Sequence, residues 1–121
     1  MAVEPDATHR IDIVANRHRV RVIHGGITIA DTLAALTLCE TGYPDVLYFP
    51  RADVNMARLE RAGRTSHCPH KGEATYFHLR TEDGRIEEAA WSYEAPLEGV
   101  HGIKGYLAFY ATRVDRIDQT S

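Results

Sequence analysis

Apolar residues recur at every second position along most of this chain, in short runs separated by glycine, proline or Asn/Asp clusters. A period of two puts alternate side chains on opposite faces of an extended strand, so a chain written this way folds mainly as half-buried strands. Ile11 and Ile13 start the alternation, and Val20, Val22 and His24 continue it. The break at Asn16-Arg17-His18 predicts a hairpin turn between the first two strands. Gly25-Gly26 supplies the positive φ angles of a tight reversal, and Ile27 and Ile29 form a third strand. Residues 33–40, LAALTLCE, contain helix-favouring leucines and alanines, but Leu36, Leu38 and Glu40 sit at strand spacing, and the spacing predicts a strand. Gly42, Pro44 and Asp45 mark a turn before the β-rich run VLYF, which Pro50 stops.

Residues 51–62, RADVNMARLERA, are the one helical candidate. They place Val54, Ala57, Met56 and Leu59 inward, with Gly63 positioned to end the helix. In SHCPHKGEATYF, Pro69 and Gly72 forbid regular structure until Ala74, from which a strand runs to Leu79. Asp83-Gly84 predicts a tight hairpin, with RIEEAAWSY returning antiparallel. Pro96 and the glycines at 99, 102 and 105 make a loop, YLAFYATRV forms a buried closing strand, and residues 115–121 form a polar tail. The expectation is a mostly β, single-domain chain (residues 1–121): a curled antiparallel sheet or small open barrel with one short helix.

At 121 residues the chain is long enough to bury a core without staples. Fourteen basic against seventeen acidic residues, with no Lys/Arg block, argue against nucleic acid and against an anionic membrane surface. Two cysteines, Cys39 and Cys68, do not make a disulfide framework, and a reducing cytoplasm fits them. The first ten residues, MAVEPDATHR, lack the apolar segment of a signal peptide, and no apolar run reaches membrane-spanning length. No G-x-G-x-x-G or P-loop pattern is present, and no cofactor is expected.

The motifs HGGITIADT, ETGYPDVLYFPRADV, HCPHKGEATYF, AAWSYEAPL and GYLAFYATRVD, in that order, resemble the bacterial domain-of-unknown-function family number 427, from about residue 9 to about residue 116. The resemblance implies a bent sheet arrangement similar to a small zinc-binding "tent", and carries a nucleotidyltransferase-like label with no settled activity. The chain departs from the family pattern at His70, where an aromatic is common, and at Glu88, where Asn or Asp is common.

The chemistry-bearing residues concentrate at positions 67–73. His67, Cys68 and His70 offer one close pair of zinc-type ligands where a structural site needs two, so no metal is expected. Cys68 is a candidate nucleophile if Lys71 and His67 favour its thiolate, and a small packing residue otherwise. Alternatively, backbone N–H groups of Pro69–Gly72 form an anion cradle with the cation of Lys71 and the fork of Arg51 or Arg64; its plain counterpart is a solvated Lys71–Glu73 pair. Trp91 and Tyr93 share a face by period two, and with Tyr48 and Tyr76 they point to a pocket beside this turn. The preferred reading is a domain that binds a small anionic metabolite or a nucleotide there. The alternatives are an enzyme, using Cys68 or transferring a nucleotidyl group, and a module for association with a second copy of the chain. Nucleotidyl transfer normally needs carboxylates holding magnesium, and no Asp-x-Asp pair is present.

Overall fold

The computed structural model describes residues 9–120. The chain is mostly β, with strands β1 (Ile11–Asn16), β2 (Arg19–His24), β3 (Ile27–Thr32), β4 (Ala35–Glu40), β5 (Val46–Tyr48), β6 (Leu59–Cys68), β7 (Gly72–Thr81), β8 (Gly84–Ser92), β9 (Leu107–Phe109) and β10 (Arg116–Thr120). They form three antiparallel sheets, ordered β1-β4-β5, β10-β2-β3 and β6-β7-β8-β9, in an open arrangement. One bridge links two of them, Phe49, just past β5, pairing with Leu107 of β9, and another ties Ala30 of β3 to Val54 in the connection before β6. Among the described residues, helical geometry is confined to the 3-10 segments Arg51–Asp53, Met56–Arg58 and Glu98–Ile103. No helix among the described residues is long and apolar enough to cross a membrane.

The alternation predicts most strands, including β4, and the Asp83-Gly84 hairpin joins β7 to β8 with Thr81 facing Gly84. Five expectations are corrected. The helix over 51–62 is absent: two 3-10 turns lead into β6, where Leu59, Glu60 and Arg61 pair with Leu79, His78 and Phe77. Helix propensity differs among ordinary residues by only tenths of a kcal/mol, about 0.7 at most, and a long partner strand outweighs it. Gly63, instead of capping a helix, sits at φ +78° where the β6–β7 register shifts, as in a β-bulge.

Residues 16–18 are not a hairpin turn. β1 pairs with β4, and β2 pairs with β3 and β10. The reason lies in the core, which has two parts. Val20 and Val22 enter a larger cluster with Phe49, Phe77, Leu79 and Phe109. Ile11 and Ile13 pack instead on a smaller one around Leu38, Tyr48, Tyr93 and Ile103, so the chain crosses from one to the other at Arg17-His18. The supposed polar tail is mostly strand: Arg116–Thr120 pairs with β2, and Ile117 packs on the larger cluster. Of YLAFYATRV, only Leu107–Phe109 is strand, and Tyr110–Arg113 turns on an Arg113 N–H to Tyr110 carbonyl bond of 2.9 Å. Regular structure also resumes earlier than Ala74, because Cys68 and Gly72 already face each other across the β6–β7 hairpin. The signal-peptide argument rests on residues 1–10, of which residues 1–8 lie outside the described residues, as does Ser121.

Candidate functional site

The β6–β7 hairpin closes with Cys68 opposite Gly72, and the Lys71 N–H donates to the Cys68 carbonyl at 3.2 Å. A second backbone bond, from Leu97 N–H to the Lys71 carbonyl at 2.9 Å, lays segment 95–97 over the turn. The approach is close: a Cβ on Gly72 would lie 3.3 Å from Leu97 N and 3.4 Å from the Ala95 carbonyl oxygen. With φ at +107°, Gly72 holds a conformation that L side chains rarely adopt. The corner is thereby pinned beside the smaller core cluster.

Between this corner, β4–β5 and β7–β8 lies a cleft of about 540 Å³. Of the residues singled out by sequence, Tyr48, Cys68, His70, Lys71, Tyr76, Trp91 and Tyr93 line it. Register explains the grouping: Tyr76 faces Trp91 across β7–β8, and Tyr93 follows two residues on, just past the end of β8. The Trp91 indole N–H donates to the Tyr48 hydroxyl at 3.3 Å, and the two rings meet edge to face, 6.4 Å apart at 86°. Tyr110, which sequence reading missed, packs 4.5 Å from the Trp91 ring and completes the wall. The Tyr76 and Ser66 hydroxyls are hydrogen-bonded at 2.8 Å. Burial pushes the Tyr48 phenol up to about 12, against the opposing pull of the Trp91 hydrogen bond, and burial likewise raises Tyr93. Both are neutral at physiological pH.

The most consequential residue that sequence reading did not place here is Glu40. Lys71 Nζ donates to its Oε1 at 2.6 Å, and His9 Nε2 lies 2.8 Å from its Oε2. The Lys71 and Glu40 side chains are only 12 % and 8 % exposed, so this ion pair is largely withdrawn from water. Burial, the largest single influence, drives the Glu40 carboxyl upward, but hydrogen bonds and charge from Lys71 and His9 together outweigh it and hold the group below its ordinary range. His70 stacks on His9 with ring centres 3.9 Å apart. The signal for Glu40 was a carboxylate at strand spacing with two core-facing leucines; His9 had none, since only the tertiary fold brings it within reach.

The other singled-out residues lie off the cleft. Arg51 donates to Glu94 at 3.0 Å and to the Gly105 carbonyl at 3.0 Å. Arg64 grips Glu88 with two bonds of 2.8 and 3.0 Å while its guanidinium sits 4.3 Å from the Tyr76 ring centre. His67 and Glu73 face each other across β6–β7 and are exposed. Lys71 thus pairs with Glu40 and not with Glu73. Glu88, the residue gripped by Arg64, is the one non-glycine among the described residues at positive φ, +46°, and its N–H donates to Nδ1 of buried His78 at 3.0 Å. Asn and Asp tolerate that backbone better than Glu, so Glu88 holds it at a steric cost.

Both thiols are free and half-buried. Cys68 borders the cleft, whereas burial, with Asp45 nearby, raises the Cys39 thiol above its usual value. Among the described residues no group of three or more His, Cys, Asp or Glu side chains is placed to hold a metal ion.

The family model for a domain of unknown function (DUF427) matches residues 12–120, nearly all of the chain. The chain belongs to this family. A comparison with curated proteins finds no match. In this DUF427 domain the matched span contains all ten strands except the first residue of β1, and the whole cleft apart from the His9 cap on Glu40.

Proposed function

We propose that this domain binds a small, ring-bearing organic molecule in the cleft beside the Cys68–Gly72 turn. The observation that carries the reading is the composition of the wall: one tryptophan and five tyrosines surround about 540 Å³, with a single Lys–Glu ion pair in the lining. Ligand sites are typically apolar or aromatic concavities of about 300–1,000 Å³ with few, well-placed polar groups, and this cleft has that form. Flat rings gain from packing against aromatic faces and edges, and a ligand seated here displaces water from surface that folding left open.

Charge narrows the anionic part of the reading. Lys71 already serves Glu40, while Arg51 and Arg64 are held on Glu94 and Glu88, away from the cavity. A nucleotide's phosphates would meet no free guanidinium, and that weighs against nucleotides and against the nucleotidyltransferase label. The subunit-association reading gains little, because the large exposed apolar side chains Val14, Leu33, Tyr43 and Leu97 are spread over separate elements.

Trp91 is the only tryptophan, so its single indole N–H resonance reports directly on the wall. A screen of ring-bearing metabolites by thermal shift, followed by titration of that resonance, should find ligands that move it and raise the melting temperature together. Tyr43→Ala, at an exposed rim position, should weaken them. Stabilising ligands that leave the Trp91 resonance in place would locate binding elsewhere.

A further inference from the structure

The cleft holds a polar group that the aromatic-wall argument leaves unused. Tyr93 is only 6 % exposed and lines the cavity. Its hydroxyl has no hydrogen-bond partner among the described residues. Among the described residues it is not one of the fully buried side-chain atoms without a partner, which are Arg21 Nε and Ser92 Oγ. Because Tyr93 is a lining residue, its unpaired O–H belongs to the cavity wall. Buried phenols nearly always find a partner, and an unpaired one at a cavity wall is a donor waiting for a ligand acceptor.

Tyr48 adds a second donor. Its oxygen accepts the Trp91 N–H, which leaves its own proton free to give. Burial keeps both phenols protonated, so each can donate at neutral pH. The ionised pair beside them, Glu40 and Lys71, cancels in formal charge, and no arginine lines the cavity. Two neutral O–H donors beside a charge-balanced pair suit a carbonyl or a singly charged carboxylate. A phosphate carries about two negative charges at neutral pH and would require unpaired cations to replace its hydration.

Building on the ligand seat proposed above, we infer that the cleft selects planar ring compounds bearing a carbonyl or carboxylate oxygen, held by the hydroxyls of Tyr93 and Tyr48, and discriminates against phosphorylated rings.

The test is a matched series of toluene, benzamide, benzoate and phenyl phosphate, titrated into the full-length protein while following the Trp91 indole resonance by two-dimensional NMR. Benzamide and benzoate should bind at least tenfold tighter than toluene and phenyl phosphate. Tyr93→Phe, which keeps the ring and removes the donor, should weaken benzamide and benzoate about tenfold, the loss of one good hydrogen bond, and leave toluene unchanged. Tyr48→Phe should act in the same direction. Phenyl phosphate binding as tightly as benzoate, or carbonyl ligands indifferent to both substitutions, would overturn this inference while the aromatic cleft still bound toluene. No response of Trp91 to any of the four would overturn the ligand seat as well. The wild-type series decides the matter even if a variant fails to fold.

Discussion

Replacing Gly72 with alanine should be among the costliest single-methyl additions in the chain. Two effects combine at this position. Backbone at φ +107° is strained for any residue with a Cβ, and residues forced into such regions cost about 1–3 kcal/mol. The new methyl would also press on main-chain atoms, at 3.3 Å from Leu97 N and 3.4 Å from the Ala95 carbonyl oxygen. Those atoms cannot rotate aside as a side-chain tip could, and the Leu97 to Lys71 hydrogen bond holds them in place. Crowding of this kind adds about 1 kcal/mol, for a total of about 2–4 kcal/mol. Gly26→Ala is the control: its φ is +75°, nothing lies within 4 Å of the added atom, and a left-handed alanine there costs about 1–2 kcal/mol. For a chain of this size 1 kcal/mol moves the melting temperature by roughly 4 °C, so Gly72→Ala should melt about 8–16 °C lower and Gly26→Ala about 4–8 °C lower. Urea unfolding at constant m, followed by circular dichroism, measures both. The Trp91 resonance should shift in Gly72→Ala alone, because that turn carries the cleft wall. Equal destabilisation of the two variants, with Trp91 unmoved, would refute the reasoning that segment 95–97 pins the corner.

Glu40→Gln should destabilise the fold by about 1–3 kcal/mol, since it leaves the Lys71 ammonium only 12 % exposed without its counter-charge; melting curves at neutral pH check this. The same group sets an acid dependence. Its folded pKa lies below the ordinary 4.5, so its stabilisation is present above that value and lost as pH falls through the folded pKa. Wild type should therefore lose more stability than Glu40→Gln on acidification below about pH 4.5, and parallel profiles would contradict the pairing. Iodoacetamide should label Cys68 in the native state, read by mass spectrometry in Cys39→Ser, and a bound ring compound should slow it. In the converse variant, Cys68→Ser, alkylation of Cys39 should lag a free-thiol peptide at pH 8, because its raised pKa leaves less thiolate. Glu88→Asn should change stability by no more than about 0.5 kcal/mol, relief of the positive φ offsetting the lost, exposed Arg64 pair, and a loss above 1 kcal/mol would show that the pair matters more.

By itself the sequence determined the elements whose physics is local. Alternation at Ile11–Ile13, Val20–Val22 and Ile27–Ile29 reads as strand because side-chain direction follows from the chain alone, and Asp83-Gly84 reads as a hairpin because so few residues accept its backbone angles. The motif order also carried the family, and Cys68, Lys71, Trp91 and Tyr93, singled out by residue type, line one cavity. Tertiary structure alone decided which strand each one joins. A period of two says which face is apolar and nothing about the partner, so residues 16–18 resemble a turn although β1 and β2 enter different sheets. Residues 59–62 have helical propensity of only tenths of a kcal/mol, which the hydrogen bonds and packing offered by β7 overrule, and β2 likewise recruits Arg116–Thr120 from an apparent tail. The pairing of Lys71 with Glu40 spans 31 positions, beyond any local pattern, and it occupies the cation that the sequence reading left free for an anion.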